Sequence, residues 1–239
     1  MSSRIPGDLM YSGAHAGADR PAFIMAGSGE AVSHAELEAR SNRLAHFFRR
    51  LGLARLDHYA IFMENNPRYV ECCAAGERSG LYYTCINSFL TADEVAYIVN
   101  NSESRVLIFS EEKREMALAA LEICPGVEVA LIVDGAGTGA RVHNLDEATR
   151  GLPATPSPDE SLGVAMLYSS GTTGKPKGIV RPVPDVPPTQ MLPVYEFLRQ
   201  LWRYREGLTY LSPAPLYHSA PHVGVNLTIR SGGTVVIME

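Results

Sequence analysis

Residues 57–134 alternate apolar runs with helical stretches. DHYAIFM (57–63), LYYTCI (81–86), RVLIFS (105–110) and VEVALIVD (127–134) read as strands, rich in β-branched and aromatic residues. Consecutive parallel strands need a crossover of a dozen or more residues, and helices of about 10–15 residues supply it. VALIV and the later AMLY lack polar alternation, the pattern of strands buried on both faces. The fold class expected is therefore α/β, with mostly parallel sheets flanked by helices. In such sheets ligands bind beyond the carboxyl ends of the strands.

The helices carry their own boundary signals. Ser33 and Glu36 form a capping box, Leu37, Leu44, Phe48 and Leu51 recur on one face, and Gly52 ends the helix. Asn65, Asn66 and Pro67 turn the chain into a helix that runs to about Ser79, and Thr91 with Glu94 makes a second capping box. EEKREMALAALEI reads as a further helix, and EFLRQLWRYR as one that packs its apolar side, Trp202 included. The first twenty residues read as a loose arm. GLPATPSPD (151–159) and RPVPDVPP (181–188) read as linkers rich in proline.

Composition narrows the function classes. With 46% hydrophobic and 20% charged residues the chain has the balance of a soluble globular protein. A net charge of −5 argues against a surface built to coat nucleic acid. Cys72, Cys73, Cys85 and Cys124 contain no C-x-x-C pair, so their spacing suggests neither a zinc site nor a disulfide framework but reduced core thiols. Neither a leader-like apolar run nor a stretch of 18 apolar residues occurs, so a cytoplasmic location is expected.

The segment with the densest chemistry is SSGTTGKPKG (169–178), directly after the apolar run GVAMLY. Its glycines let backbone N–H groups curl round an anion, its hydroxyls add donors, and Lys175 and Lys177 add charge. It is not a Walker A loop, since only two residues separate Gly171 from Gly174 and Pro176 follows Lys175. Proline disfavours the α region for Lys175, and GIVRPV continues with β-branched character, so the loop is expected to join two strands.

This segment resembles the phosphate-binding signature of the adenylate-forming (AMP-binding) superfamily, acyl-CoA ligase branch. PLYH (215–218) is similar to that family's Pro-x-aromatic-His element at the acyl pocket, and residues 78–108 are similar to a strand–helix–strand segment of the CoA ligases. The resemblance runs from about residue 20 to the end, and implies a partial large domain over 21–239 after the arm at 1–20.

What it implies is an acid–thiol ligase that uses ATP, Mg2+ and CoA to convert a carboxylic acid, of fatty type, through an acyl adenylate into a thioester. Nucleic acid is not among the implied partners. Ser169, Ser170, Gly171, Thr172, Thr173 and Gly174 would wrap the β- and γ-phosphates, with Thr172 near the magnesium. Lys177 matches the lysine the signature requires, and Lys175 is an auxiliary charge. His218 would lie beside the substrate carboxylate. LYHSAP lacks the aspartate that amino-acid-activating relatives carry there, which favours an uncharged acyl tail. Where some long-chain members have a gating tryptophan, this chain has His222. The family's magnesium-binding glutamate, ribose-binding aspartate and C-terminal catalytic lysine are not in these 239 residues. The chain is thus expected to act within a longer enzyme; the alternative is a non-catalytic nucleotide- or acyl-binding remnant.

Two further patterns point elsewhere. DGAGTGA (134–140) matches a dinucleotide fingerprint, yet the residues after it are short, polar and stopped by Gly151 and Pro153, so it reads as a surface turn. His218 and His222 have metal-pair spacing, but no Glu follows His218 and Pro221 intervenes.

Overall fold

The apolar runs form strands in a computed structural model that describes residues 19–169 and 176–239. The chain opens with β1 (Pro21–Met25), β2 (Ala31–Ser33) and α1 (His34–Arg50). Next come β3 (His58–Phe62), α2 (Tyr69–Ser79), β4 (Tyr82–Ile86), α3 (Ala92–Asn101) and β5 (Val106–Ser110). A 3-10 turn leads to α4 (Arg114–Glu122), β6 (Val129–Val133), β7 (Val142–Asn144) and the short α5 (Leu145–Thr149). The remainder holds β8 (Val164–Ala165), β9 (Leu167–Ser169), β10 (Lys177–Ile179), α6 (Pro193–Leu201), β11 (Thr209–Ser212), α7 (Ser219–Arg230) and β12 (Thr234–Ile237).

Six strands form one parallel sheet in the order β7-β6-β5-β3-β4-β8, with Ile61 opposite both Cys85 and Ile108. Every residue of β4 and β5 is buried, as strands covered on both faces require. A second sheet, β11-β12-β1-β2, joins distant parts of the chain: Phe23 of β1 pairs in parallel with Val235 of β12. Both capping boxes form, with Ser33 Oγ accepting from the Glu36 amide at 3.2 Å and the Thr91 amide donating to Glu94 Oε2 at 2.9 Å. Gly80 ends α2 at φ +71°, a conformation that disfavours side chains with a Cβ.

α2 is fastened to α1 by buried charge. Arg78 is fully buried and lies 2.6 Å from Glu38 Oε1 and 3.6 Å from Glu160 Oε1. Two carboxylates around one planar guanidinium offset the cost of taking these charges out of water.

Three expectations need correction. The run AMLY is not one strand buried on both faces: it breaks at Met166, so β8 lies at the edge of the large sheet and half-buried β9 leaves for a hairpin. The proline-rich stretches are packed straps rather than linkers. Asn42 Nδ2 donates to Ala154 O at 3.0 Å, Arg49 pairs with Asp159, and Arg55 donates to Val183 O at 2.7 Å. Finally, α6 does not bury its apolar side: Phe197, Leu201 and Trp202 are exposed, and the Trp202 ring meets Tyr204 edge-on at 6.1 Å. The turn at 134–140 is the surface feature expected, followed by a helix of five residues that is too short for a dinucleotide site.

Candidate active site

β9 and β10 pair antiparallel, with Ser169 opposite Lys177 and Tyr168 opposite Gly178. The segment 170–175 therefore joins two paired strands; it lies outside the described residues, and with it Ser170, Gly171, Thr172, Thr173, Gly174 and Lys175. A Cβ at Gly178 would sit 2.4 Å from Met166 Cε and 3.0 Å from the Tyr168 ring, so a larger residue there would displace the flexible end of Met166 and press on Tyr168. α3 props the hairpin from one side. Tyr168 Oη donates to Asn101 Oδ1 at 2.7 Å, and Tyr97 Oη to Pro176 O at 3.2 Å. Lys177 is exposed and makes no ion pair among the described residues, so its charge is open to an anion.

The PLYH element is held at the carboxyl end of β3. Asn65, three residues past that strand, accepts from the Leu216 amide at 2.8 Å and donates to Met238 O at 2.7 Å. One amide side chain thereby ties the loop before α7 to the residue just after β12. Tyr217 stands near Lys113: burial raises its hydroxyl's pKa, and the lysine charge opposes the rise. Lys113 in turn lies 5.8 Å over the Phe89 ring, in the loop after β4. The residues around His218 thus gather at the carboxyl edge of the parallel sheet, the side on which α/β folds bind ligands. His218 itself is exposed and is the N-cap of α7; its ring stacks near Tyr217 at 4.5 Å and makes no hydrogen bond among the described residues.

One helical turn on, His222 faces inward, so the two histidines diverge instead of sharing a metal. His222 Nε2 lies 2.8 Å from Tyr83 Oη, and that hydroxyl donates to Glu77 Oε1 at 2.8 Å. Glu77 also accepts from Asn226 at 2.7 Å and from Arg230 at 2.9 Å. Burial pushes the Glu77 carboxyl up most strongly, but Arg230, His222 and Tyr83 together hold it below the ordinary value. Burial lowers the pKa of His222, against the pull of Glu77. Asn65 and the Glu77, Tyr83 and Arg230 that gather at His222 were not legible in the sequence as site residues. Their only signal was polarity inside otherwise apolar segments.

Among the described residues, no helix is long and apolar enough to cross a membrane. The description "AMP-binding enzyme" matches residues 11–239. Long-chain fatty acid transport protein 1 of Homo sapiens is 30% identical over 92% of this chain and 35% of its own length. Long-chain-fatty-acid–CoA ligase FadD13 of Mycobacterium tuberculosis is 28% identical over 91% of this chain and 42% of its own. Among solved structures, ATP-bound MatB of Rhodopseudomonas palustris superposes with a TM-score of 0.70 at 25% identity, over 96% of this chain and 45% of that one. The chain spans less than half the length of each of these relatives. The parallel sheet, the paired strands around SSGTTGKPKG and the family match over 229 of 239 residues (11–239) agree, and the chain belongs to the AMP-binding enzyme family.

Proposed function

We propose that this chain is the N-terminal part, 21–239 after an arm at 1–20, of the large domain of an ATP-dependent acyl-CoA ligase acting in the cytoplasm. The observation that carries the reading is the Ser169–Lys177 register, which holds the two ends of the Gly- and hydroxyl-rich loop side by side and leaves Lys177 unpaired among the described residues. A loop pinned this way presents its donors to one polyanion. Bound ATP would supply the activated phosphate and magnesium the charge screening, with Ser169 to Gly174 wrapping the phosphates and Thr172 nearest the metal. A lysine about 4 Å from a phosphate charge gains on the order of 4 kcal/mol at an effective dielectric of 20, the role given to Lys177 with Lys175 as auxiliary. His218, whose ring makes no hydrogen bond among the described residues, would donate to an oxygen of the substrate carboxylate.

The substrate class is read from the names of the relatives and from LYHSAP (216–221), which holds no carboxylate to pair with an amino group. CoA is the acceptor named by the ligase relatives. Fatty-acid-dependent pyrophosphate release by the full-length enzyme tests the proposal. Lys177→Ala is expected to lower kcat/KM at least about a hundredfold, as loss of one transition-state charge contact does. An unchanged rate would remove the loop from the phosphate site.

A further inference from the structure

The cysteines gather in a way their sequence spacing does not suggest. Cys73 on α2 and Cys85 on β4 bring their sulfurs to 4.0 Å, and a ring nitrogen of His222 on α7 completes a group whose ligand atoms all lie within 4.8 Å of one another. We propose that Cys73, Cys85 and His222 form a binding site for a borderline-soft divalent cation of the zinc or cadmium kind.

Distance decides between the two chemistries open to such a thiol pair. A disulfide needs its sulfurs at about 2.05 Å, so this pair would have to close by roughly 2 Å inside a packed core. Tetrahedral zinc with Zn–S legs of about 2.3 Å spaces its sulfurs about 3.8 Å apart, so the sulfurs need to move only a few tenths of an ångström. Two thiolates and one imidazole also match the preference of this cation class for sulfur and nitrogen.

Charge and space agree. The thiols bind as thiolates, so uptake of one ion releases two protons, and the ion with its two thiolates carries no net charge into the interior. The nearby Glu77 carboxylate keeps its own partner in Arg230, 2.9 Å away. Beside the cluster lies a cavity of about 20 Å³ lined by Tyr69, Cys73, Glu77 and His222, room for the one water that a fourth coordination position takes. The Tyr69 hydroxyl is buried, bonds the Cys85 thiol and has no nitrogen or oxygen partner among the described residues, so it can turn to that water once the sulfur holds the ion. Burial raises the Cys73 thiol, and the Cys85 thiol beside it adds to the rise.

The test does not depend on the ligase reading. The reduced, metal-free chain is titrated with Cd2+, read by calorimetry and by the ultraviolet thiolate-to-cadmium band. One ion per chain is expected. Cys85→Ser and His222→Phe should weaken it at least about tenfold, while His222→Cys, which exchanges one ligand for another, keeps binding and strengthens the band. Cys124→Ser, in the separate core cluster, should leave it unchanged. The site is overturned if no band develops, if the band survives Cys73→Ser and Cys85→Ser, or if His222→Cys binds no better than His222→Phe.

Discussion

Residues 58–133 and residues 164–202 draw on similar apolar side chains and use them in opposite ways. In the first region β4 and β5 are buried along their whole length. In the second, Ile179 is 46% exposed, Val180 58% and Phe197 61%. The first holds the fold together, and the second carries the loop of the proposed chemistry on a two-stranded hairpin attached through Tyr97 and Tyr168. A hairpin of this kind has little stability of its own, so its geometry is borrowed from α3. Binding loops are commonly drawn from such low-stability parts of a fold.

Mutations should separate the two regions by size of effect. Phe109→Ala, at a fully buried position of β5, is expected to lower unfolding free energy by about 3–5 kcal/mol in urea titrations. A loss under about 1 kcal/mol would mean that the large sheet is not the stabilising element. Arg78→Met comes next at about 3 kcal/mol, because the buried Glu38 carboxylate loses its guanidinium 2.6 Å away; Asn42, 3.5 Å from Glu38, limits the damage. Ser33→Ala removes the acceptor for the Glu36 amide and should cost about 1 kcal/mol.

A smaller response is expected from pH. Burial lowers the pKa of both His34 and His58, so the unfolded chain binds more protons once pH falls below about 6.5. Stability should therefore be fully present above that pH and decline below it. His34→Asn should flatten the decline in melting temperature between pH 7 and 6, and an unaltered slope would assign it to other groups. Phe197→Ser on α6 should change stability by less than about 0.5 kcal/mol. A larger loss there would erase the contrast between the regions.

Much of the fold was legible because its causes are local. The capping boxes at Ser33 and Thr91 need only residues three positions apart, and both form. The strands at 58–62, 82–86, 106–110 and 129–133 follow from runs that cannot be left in water. AMLY failed as a single buried strand because edge or centre is set by neighbours, and β8 has only β4 beside it. Trp202 failed because an amphipathic pattern tells that a helix has an apolar side, not that anything covers it. Of the candidate site, the motif around 169–178 and PLYH could be read as chemistry, since residue types and spacing suffice. Asn65 as the clamp on Leu216 could not, being 151 positions away.

The sequence by itself determined the parallel α/β class, the helix starts, and the family, because periodicity, caps and a long motif are properties of neighbouring residues. Only the tertiary structure decided that β1 pairs with β12, that His218 faces outward while His222 meets Tyr83 and Glu77, and that Cys73 and Cys85 stand 4.0 Å apart. Those outcomes depend on which surfaces remain to be buried once the helices have packed on the sheet, and no local stretch of chain contains that information.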